Sequence, residues 1–227
     1  MRICIFSDTH GNLSALDAVL ADMQPRGPFD LTVMAGDLAL FGPRPAETID
    51  RIRAMGCLVL MGNTDQYIVQ NAQGAYDWIR AQLGAERLHY LAGLPFAYAV
   101  QPQAGHELLI CHANPKDLED HLRPDRPEAE VRALLDGVSA EVIAFGHIHT
   151  PYIRTVGAHT LFDIASVGLP RDGDTRAAYG IAAWTRNGWQ LEHRRVAYDV
   201  EAVVADMRAS GMPNAEEKIQ ILRSASY

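Results

Sequence analysis

The chain has 227 residues, enough for one sizeable core. Hydrophobic residues make up 48% and charged residues 21%, the balance of an ordinary globular domain, and a formal net charge of −8 argues against a broad electrostatic footprint for DNA or RNA. No apolar run approaches the roughly 18 residues needed to cross a bilayer, and the first one breaks too early, at Ser7-Asp8, for a signal peptide.

Residues 2–6 read as a buried strand, followed by Ser7-Asp8-Thr9-His10-Gly11-Asn12. Asn12 suits the cap of a helix with Leu13, Leu16, Leu20 and Met23 on one face, ended by Pro25 and Pro28. Residues 31–35 read as a second strand, closed by Gly36-Asp37. Pro45 suits the first turn of a helix carrying Ile49 and Ile52, with Gly56 at its C-terminal cap. Residues 57–61 read as a third strand, closed by Gly62-Asn63-Thr64-Asp65, and a mostly helical stretch over 66–91 has Trp78, Ile79 and Leu83 as core contacts. Residues 95–100 and 107–111 read as two strands joined by a turn through Pro102 and Gly105, the second ending at His112. A polar loop over 116–127 leads to a helix with Val131, Leu134 and Leu135 on one face. The apolar run 142–145 reads as a buried strand that stops at Gly146-His147-Ile148-His149. Beyond it, 152–156 and 159–165 read as a hairpin, and 178–185 and 189–196 flank Asn187-Gly188, a two-residue hairpin turn. The loop 166–176 between them is rich in Gly, Asp and Arg. Asp199 caps a last amphipathic helix with Val200, Val203 and Met207, and Gly211 and Pro213 separate it from a helical tail. Helix–strand alternation followed by hairpins implies two packed sheets with helices outside. With no shift in composition along the chain, a single domain over 1–227 is expected. Cys4, Cys57 and Cys111 all sit in apolar runs, which suggests reduced, packed thiols and a cytoplasmic protein.

Five strand ends carry side chains able to ligate a metal: Asp8 with His10, Asp37, Asn63, His112, and His147 with His149. Sites in open α/β sheets form beyond the carboxyl ends of strands. Each residue alone has a plain explanation as a turn cap or a structural histidine, but packing does not account for seven of them in that one kind of place. Imidazole, carboxylate and amide oxygen suit borderline divalent metals. On extended backbone Asp8 and His10 point the same way, as do His147 and His149. Each pair can therefore divide between two ions only if its loop bends, which Gly11 and Gly146 permit.

The series Asp8-x-His10, Gly36-Asp37, Gly62-Asn63-x-Asp65, His112, Gly146-His147-x-His149 resembles the calcineurin-like metallophosphoesterases. Residues 166–173 resemble a loop of their small prokaryotic branch, so the likeness covers nearly the whole chain. The resemblance implies an α/β fold, a four-layer α/β/β/α sandwich of two mixed sheets flanked by helices. It also implies two divalent metal ions, manganese first, with iron, zinc, nickel or cobalt as alternatives. Asp8, His10, Asp37 and His149 would hold one ion and Asp37, Asn63, His112 and His147 the other, with Asp37 bridging; Asp37, Asn63 and His112 would thereby be catalytic. Such ions, about 3.5–4 Å apart, can share a hydroxide and orient it at phosphorus. Their charge outweighs that of Asp8 and Asp37, so the site attracts a phosphate despite the negative chain.

Many members of the family carry His after the third-motif Asn, where this chain has Thr64, a poor general acid. That departure implies a preference for activated or nucleotide-type leaving groups. Asn12 (beside its capping role), Arg171 and Arg176 are candidate substrate contacts, the arginines as phosphate clamps. Asp65 reads as orienting the Asn63 loop, and His121 as a solvent-exposed loop residue. The activity implied is hydrolysis of phosphodiester or nucleotide-type phosphate bonds. A phosphomonoesterase or dinucleoside-polyphosphate hydrolase on the same metals stays open, as does a binding or scaffold protein of the kind the retromer subunit with this fold illustrates. The expected partner is a small phosphorylated substrate such as a nucleotide, with no large nucleic-acid surface and no membrane. The chain itself is expected as a monomer or homo-oligomer.

Overall fold

The computed structural model describes residues 1–71 and 73–226. In chain order the elements are β1 (Arg2–Phe6), α1 (Leu13–Met23), β2 (Leu31–Met34), α2 (Pro45–Ala54), β3 (Leu58–Val59), α3 (Asn63–Gln70), α4 (Asp77–Ala92), β4 (Ala97–Val100) and β5 (Leu108–Cys111). They continue with α5 (Glu128–Leu134), β6 (Val142–Phe145), β7 (Tyr152–Val156), β8 (His159–Asp163), β9 (Ala177–Thr185), β10 (Gly188–Val196), α6 (Val200–Ala209) and α7 (Ala215–Ser224). One sheet has the order β10-β9-β1-β2-β3 and the other β4-β5-β6-β8-β7. Each mixes parallel and antiparallel pairs: β1 pairs parallel with β2 and antiparallel with β9, and β6 pairs parallel with both β5 and β8.

Strand periodicity sorts the apolar side chains into layers. Ile3 and Ile5 of β1 face Ile110, Val142, Ala144 and Phe162 of the other sheet. Cys4 and Phe6, the alternate residues, face outward under Leu16 and Val19 of α1, Ile49 and Ile52 of α2 and Leu83 and Leu91 of α4. On the opposite side Ile143 and Phe145 of β6 pack beneath Val131 and Leu135 around α5. The result is helices, sheet, sheet, helices. Each fully buried Leu, Ile or Phe in these layers contributes roughly 1.5–3 kcal/mol. The helices α6 and α7 form a satellite core of their own, in which Val203 and Met207 meet Ile219 and Leu222 around Leu169.

Both expected hairpins form, β7 with β8 and β9 with β10. Two stretches differ from the sequence reading. The third strand is only Leu58–Val59. Leu60 N–H still reaches Met34 O at 2.8 Å, but Met61 N–H turns away to Pro95 O at 2.8 Å. The long helical stretch is broken between α3 and α4, with a 3-10 turn at Gly74–Tyr76, and α4 is itself kinked at Gly84. Gly74 and Gly84 take φ of +80° and +66°, outside the helical region, and apolar periodicity does not register that change.

Candidate metal centre

All seven candidate ligands lie together at the seam of the two sheets. Asp8 and His10 follow β1, Asp37 follows β2 and Asn63 opens α3 after β3, all from the first sheet. His112 follows β5, and His147 and His149 follow β6, from the second. The loops beyond β1 and β2 are zipped side by side: Asp8 N–H donates to Gly36 O at 2.9 Å, His10 N–H to Asp37 O at 3.1 Å and Gly11 N–H to Leu38 O at 2.8 Å. His147 N–H donates across the seam to Asp8 Oδ2 at 3.0 Å.

Neither pair sits on extended backbone, and both loops bend. Asp8, His10, Asp37, His147 and His149 have φ of +56°, +46°, +62°, +70° and +59°. Each such left-handed non-glycine residue costs on the order of 1–2 kcal/mol. The bends fall on the ligands themselves and, as expected, on Gly11, at φ +65°. Gly146 serves by its missing side chain: a Cβ there would collide with Asp8 Oδ2, and one at Gly62 would collide with Asp37 Oδ1.

The hydrogen bonds fix which ring atoms face the centre. Nδ1 of His10 donates to Leu40 O at 2.9 Å, Nδ1 of His112 to Ala35 O at 2.9 Å and Nδ1 of His149 to Leu169 O at 2.6 Å. A carbonyl can only accept, so in each neutral ring Nε2 is left as a lone pair. Those lone pairs converge. His10 Nε2 is 3.1 Å from His149 Nε2, which is 3.1 Å from Asp8 Oδ1. His112 Nε2 is 3.0 Å from Asn63 Oδ1 and 3.4 Å from Asp37 Oδ1. Acceptors thus face acceptors, an arrangement that a bound cation resolves. The ligand atoms of Asp8, His10 and His149 lie within 4.8 Å of one another, and so do those of Asp8, Asp37 and His112. Asp37 turns Oδ2 toward His10, at 3.7 Å, and Oδ1 toward His112. His147 is half-buried, and its Nε2 is taken by Glu119 O at 3.0 Å, which leaves Nδ1 as its free lone pair.

Burial and then the Asp8 charge push the Asp37 carboxyl up to about 8. Burial acts against the Asp8 charge too, but His149 beside it holds its carboxyl below the usual range. Burial, and next His149, brings His10 down to about 3; burial, and next His112, does the same to His147. Burial thus favours the neutral imidazoles of His10 and His147, and the Asp8 carboxyl lies well below that of Asp37.

Asp65 is the clamp of this centre. Its buried carboxylate accepts Asp37 N–H at 2.8 Å and Gly62 N–H at 3.0 Å on Oδ2, and Leu38 N–H at 3.0 Å on Oδ1. The expectation that it orients the Asn63 loop agrees with this geometry, and it fixes the Asp37 loop as well. Of the three expected substrate contacts, only Arg171 is brought in. It borders a cavity of about 160 Å³ with His10, Asp37, Asn63, His147 and His149. Asn12 is consumed in structure: Oδ1 caps α1 through Ala15 N–H at 3.1 Å, and Nδ2 donates to Gly168 O at 3.0 Å. Arg176 borders neither this cavity nor the larger one beside it, and pairs with Asp174 at 2.7 Å. The residue missed by the sequence reading is His121. It lines the cavity with its ring 4.6 Å from that of His147, because the loop after β5 is folded back by Asn114, whose Oδ1 accepts Lys116 N–H and Asp117 N–H. Only the short spacing from Asn114 to His121 hinted at this.

Among the described residues no helix is long and apolar enough to cross a membrane. A metallophosphoesterase from Sphaerobacter thermophilus superposes with a TM-score of 0.81 and 26% identity, over 99% of both chains. A hypothetical protein from Pyrococcus horikoshii shares the fold with a TM-score of 0.85 at 19% identity, covering 99% of this chain and 98% of its own. An uncharacterised protein of Methanocaldococcus jannaschii is 29% identical over 93% of each chain. Residues 1–186 match the family model described as the calcineurin-like phosphoesterase superfamily domain. The chain therefore belongs to the calcineurin-like phosphoesterases and is a hydrolase acting on phosphate esters.

Proposed function

We propose that residues 1–227 act as one domain that hydrolyses phosphodiester or nucleotide-type phosphate bonds with two divalent ions, manganese first. Asp8, His10, Asp37 and His149 would hold one ion and Asp37, Asn63, His112 and His147 the other. The observation that carries this reading is the convergence of His10 Nε2, His149 Nε2 and Asp8 Oδ1, each 3.1 Å from the next. The two oxygens of Asp37, turned to opposite sides, support its bridging role.

When bound, such ions supply Lewis acidity at phosphorus and lower the pKa of a water. The chain's own groups do the rest. Carbonyls of Leu40, Ala35 and Leu169 hold three imidazoles in one tautomer. Thr64 N–H donates to Asp37 Oδ1 at 2.9 Å and keeps that carboxylate turned across the centre. Arg171 at the cavity wall meets the phosphate charge.

The test is metal analysis of the purified chain combined with hydrolysis of bis(p-nitrophenyl) phosphate in Mn²⁺. Two ions per chain, with Asp37→Asn and His112→Ala both inactive, are expected. A metal-replete chain inert on a broad panel of phosphate esters would overturn the reading in favour of a binding protein.

A further inference from the structure

The 160 Å³ cavity at the candidate ligands has room for little beyond a phosphate group, and a second, larger cavity of about 420 Å³ opens from it. Phe41, Asn63 and Thr64 line both, so an ester whose phosphate lies at the ligands extends its substituent into the larger space. That volume falls within the range of roughly 300–1,000 Å³ typical of small-molecule sites. Resting on the phosphoesterase reading above, we infer that this cavity receives the nucleoside of a nucleotide ester, with the base against its aromatic wall.

The lining favours a flat ring over an alkyl chain. Phe41, Tyr67, Tyr76 and Trp78 contribute four aromatic side chains, and Met212 adds a polarisable one. Stacking of a base on such rings tolerates any base identity. The junction carries polar groups as well. Thr64 is 95% buried at this junction, and its hydroxyl leans on the Asp37 carboxylate. That polar group suits a ribose or ester oxygen better than a hydrocarbon. Lys218 Nζ stands 5.0 Å over the Phe41 ring, which in turn lies 5.5 Å from the His10 ring. A cation is thereby held where phosphate and nucleoside meet. On the larger cavity's rim, Asn214 adds an amide.

The wall formed by Met212, Pro213, Asn214 and Lys218 lies beyond residues 1–186, the part matched to the superfamily domain. It is docked firmly. Leu169 shares a buried cluster with Val203, Met207, Ile219 and Leu222, and Arg44 pairs with Asp206 of α6 at 2.8 Å. The tail thus builds a specificity wall onto a general phosphoesterase centre.

The test compares kcat/KM of the Mn²⁺-loaded chain for the methyl ester of adenosine 5′-phosphate and that of ribose 5-phosphate, which share the scissile linkage. The adenine-bearing ester is expected to react about ten-fold or more better, as stacking of one base predicts, and Tyr76→Ala is expected to pull that ratio toward one through KM. Saturable quenching of tryptophan fluorescence by adenosine, but not by ribose, is the second readout and needs neither turnover nor a variant. A ratio within two-fold in the native chain, or a large ratio untouched by Tyr76→Ala, overturns the assignment while leaving the phosphoesterase reading intact. If neither ester reacts, the phosphoesterase reading is decided by the bis(p-nitrophenyl) phosphate assay above, and the adenosine titration decides the cavity alone: saturable quenching supports it and flat fluorescence overturns it.

Discussion

Replacing Asp65 by Asn changes one oxygen into an amide, yet it should weaken both the fold and the centre. The carboxylate accepts three backbone N–H groups, two on Oδ2 and one on Oδ1, and the residues donating them are all buried. An asparagine with its carbonyl in the place of Oδ2 keeps the bonds from Asp37 and Gly62. Its NH₂ then faces Leu38 N–H, donor against donor. The loss is one charge-assisted bond and one satisfied buried N–H, about 2–3 kcal/mol once the relief of burying a charge is set against it. For a chain of this size each kcal/mol is about 2–4 °C, so the melting temperature should fall by about 4–12 °C. Because Asp65 fixes the Asp37 loop, Mn²⁺ affinity should also drop about 10- to 100-fold. Thermal melts of the metal-free chain and calorimetric Mn²⁺ titration read the two effects. A melt within 1 °C of the native protein together with unchanged affinity would refute the clamp.

Gly146→Ala should abolish Mn²⁺ binding, because the added Cβ meets the Asp8 carboxylate and the buried Ser7 side chain beside it; unaltered metal stoichiometry would count against the close approach at the seam. Mn²⁺ at 100 times its Kd should raise the melting temperature by about 5–11 °C, from about 2.7 kcal/mol of linkage, and EDTA should reverse it. The pH dependence follows from the carboxyls. Asp37, at about 8, keeps its proton in the folded chain after the unfolded chain has lost it, so between pH 6.5 and 8 the metal-free protein should lose stability as pH rises. His10 and His147, at about 3, act the other way, but only below pH 6.5, where the unfolded histidines take up protons; pH-resolved melts in EDTA test the sign. Thr64→His should speed hydrolysis of alkyl phosphodiesters more than of p-nitrophenyl ones by supplying an acid for poor leaving groups, and equal rates for both classes before and after would exclude that role.

The sequence held more of the ligands than of their surroundings. Apolar strands ending in Asp, Asn or His at five places are a periodic signal joined to a chemical one, and all seven side chains meet at the seam. Asp65 was legible because it lies two residues from Asn63. What stayed hidden depends on non-local packing. Asn12 and Arg176 are polar residues near the right motifs, yet Gly168 and Asp174 occupy them in structure. His121 looked like a solvated loop residue until the Asn114 turns brought it beside His147. The Met212–Lys218 wall carries no motif, and the two breaks in the long helical stretch rest on glycine conformations that hydrophobic spacing does not encode.

The left-handed backbone at Asp8, His10, Asp37, His147 and His149 has a consequence for how this chain changes over generations. Glycine or asparagine would sit at those five points with less strain, and the sheets beneath would gain from the exchange. A lineage released from the need for the centre would drift toward such residues, since the first losses would raise stability rather than lower it. Five aspartates and histidines kept together in that conformation are therefore a sign of a site still in use. The same reasoning offers a way to tell working members of this fold from idle ones: aspartate and histidine on left-handed backbone in the first, glycine or asparagine in the second.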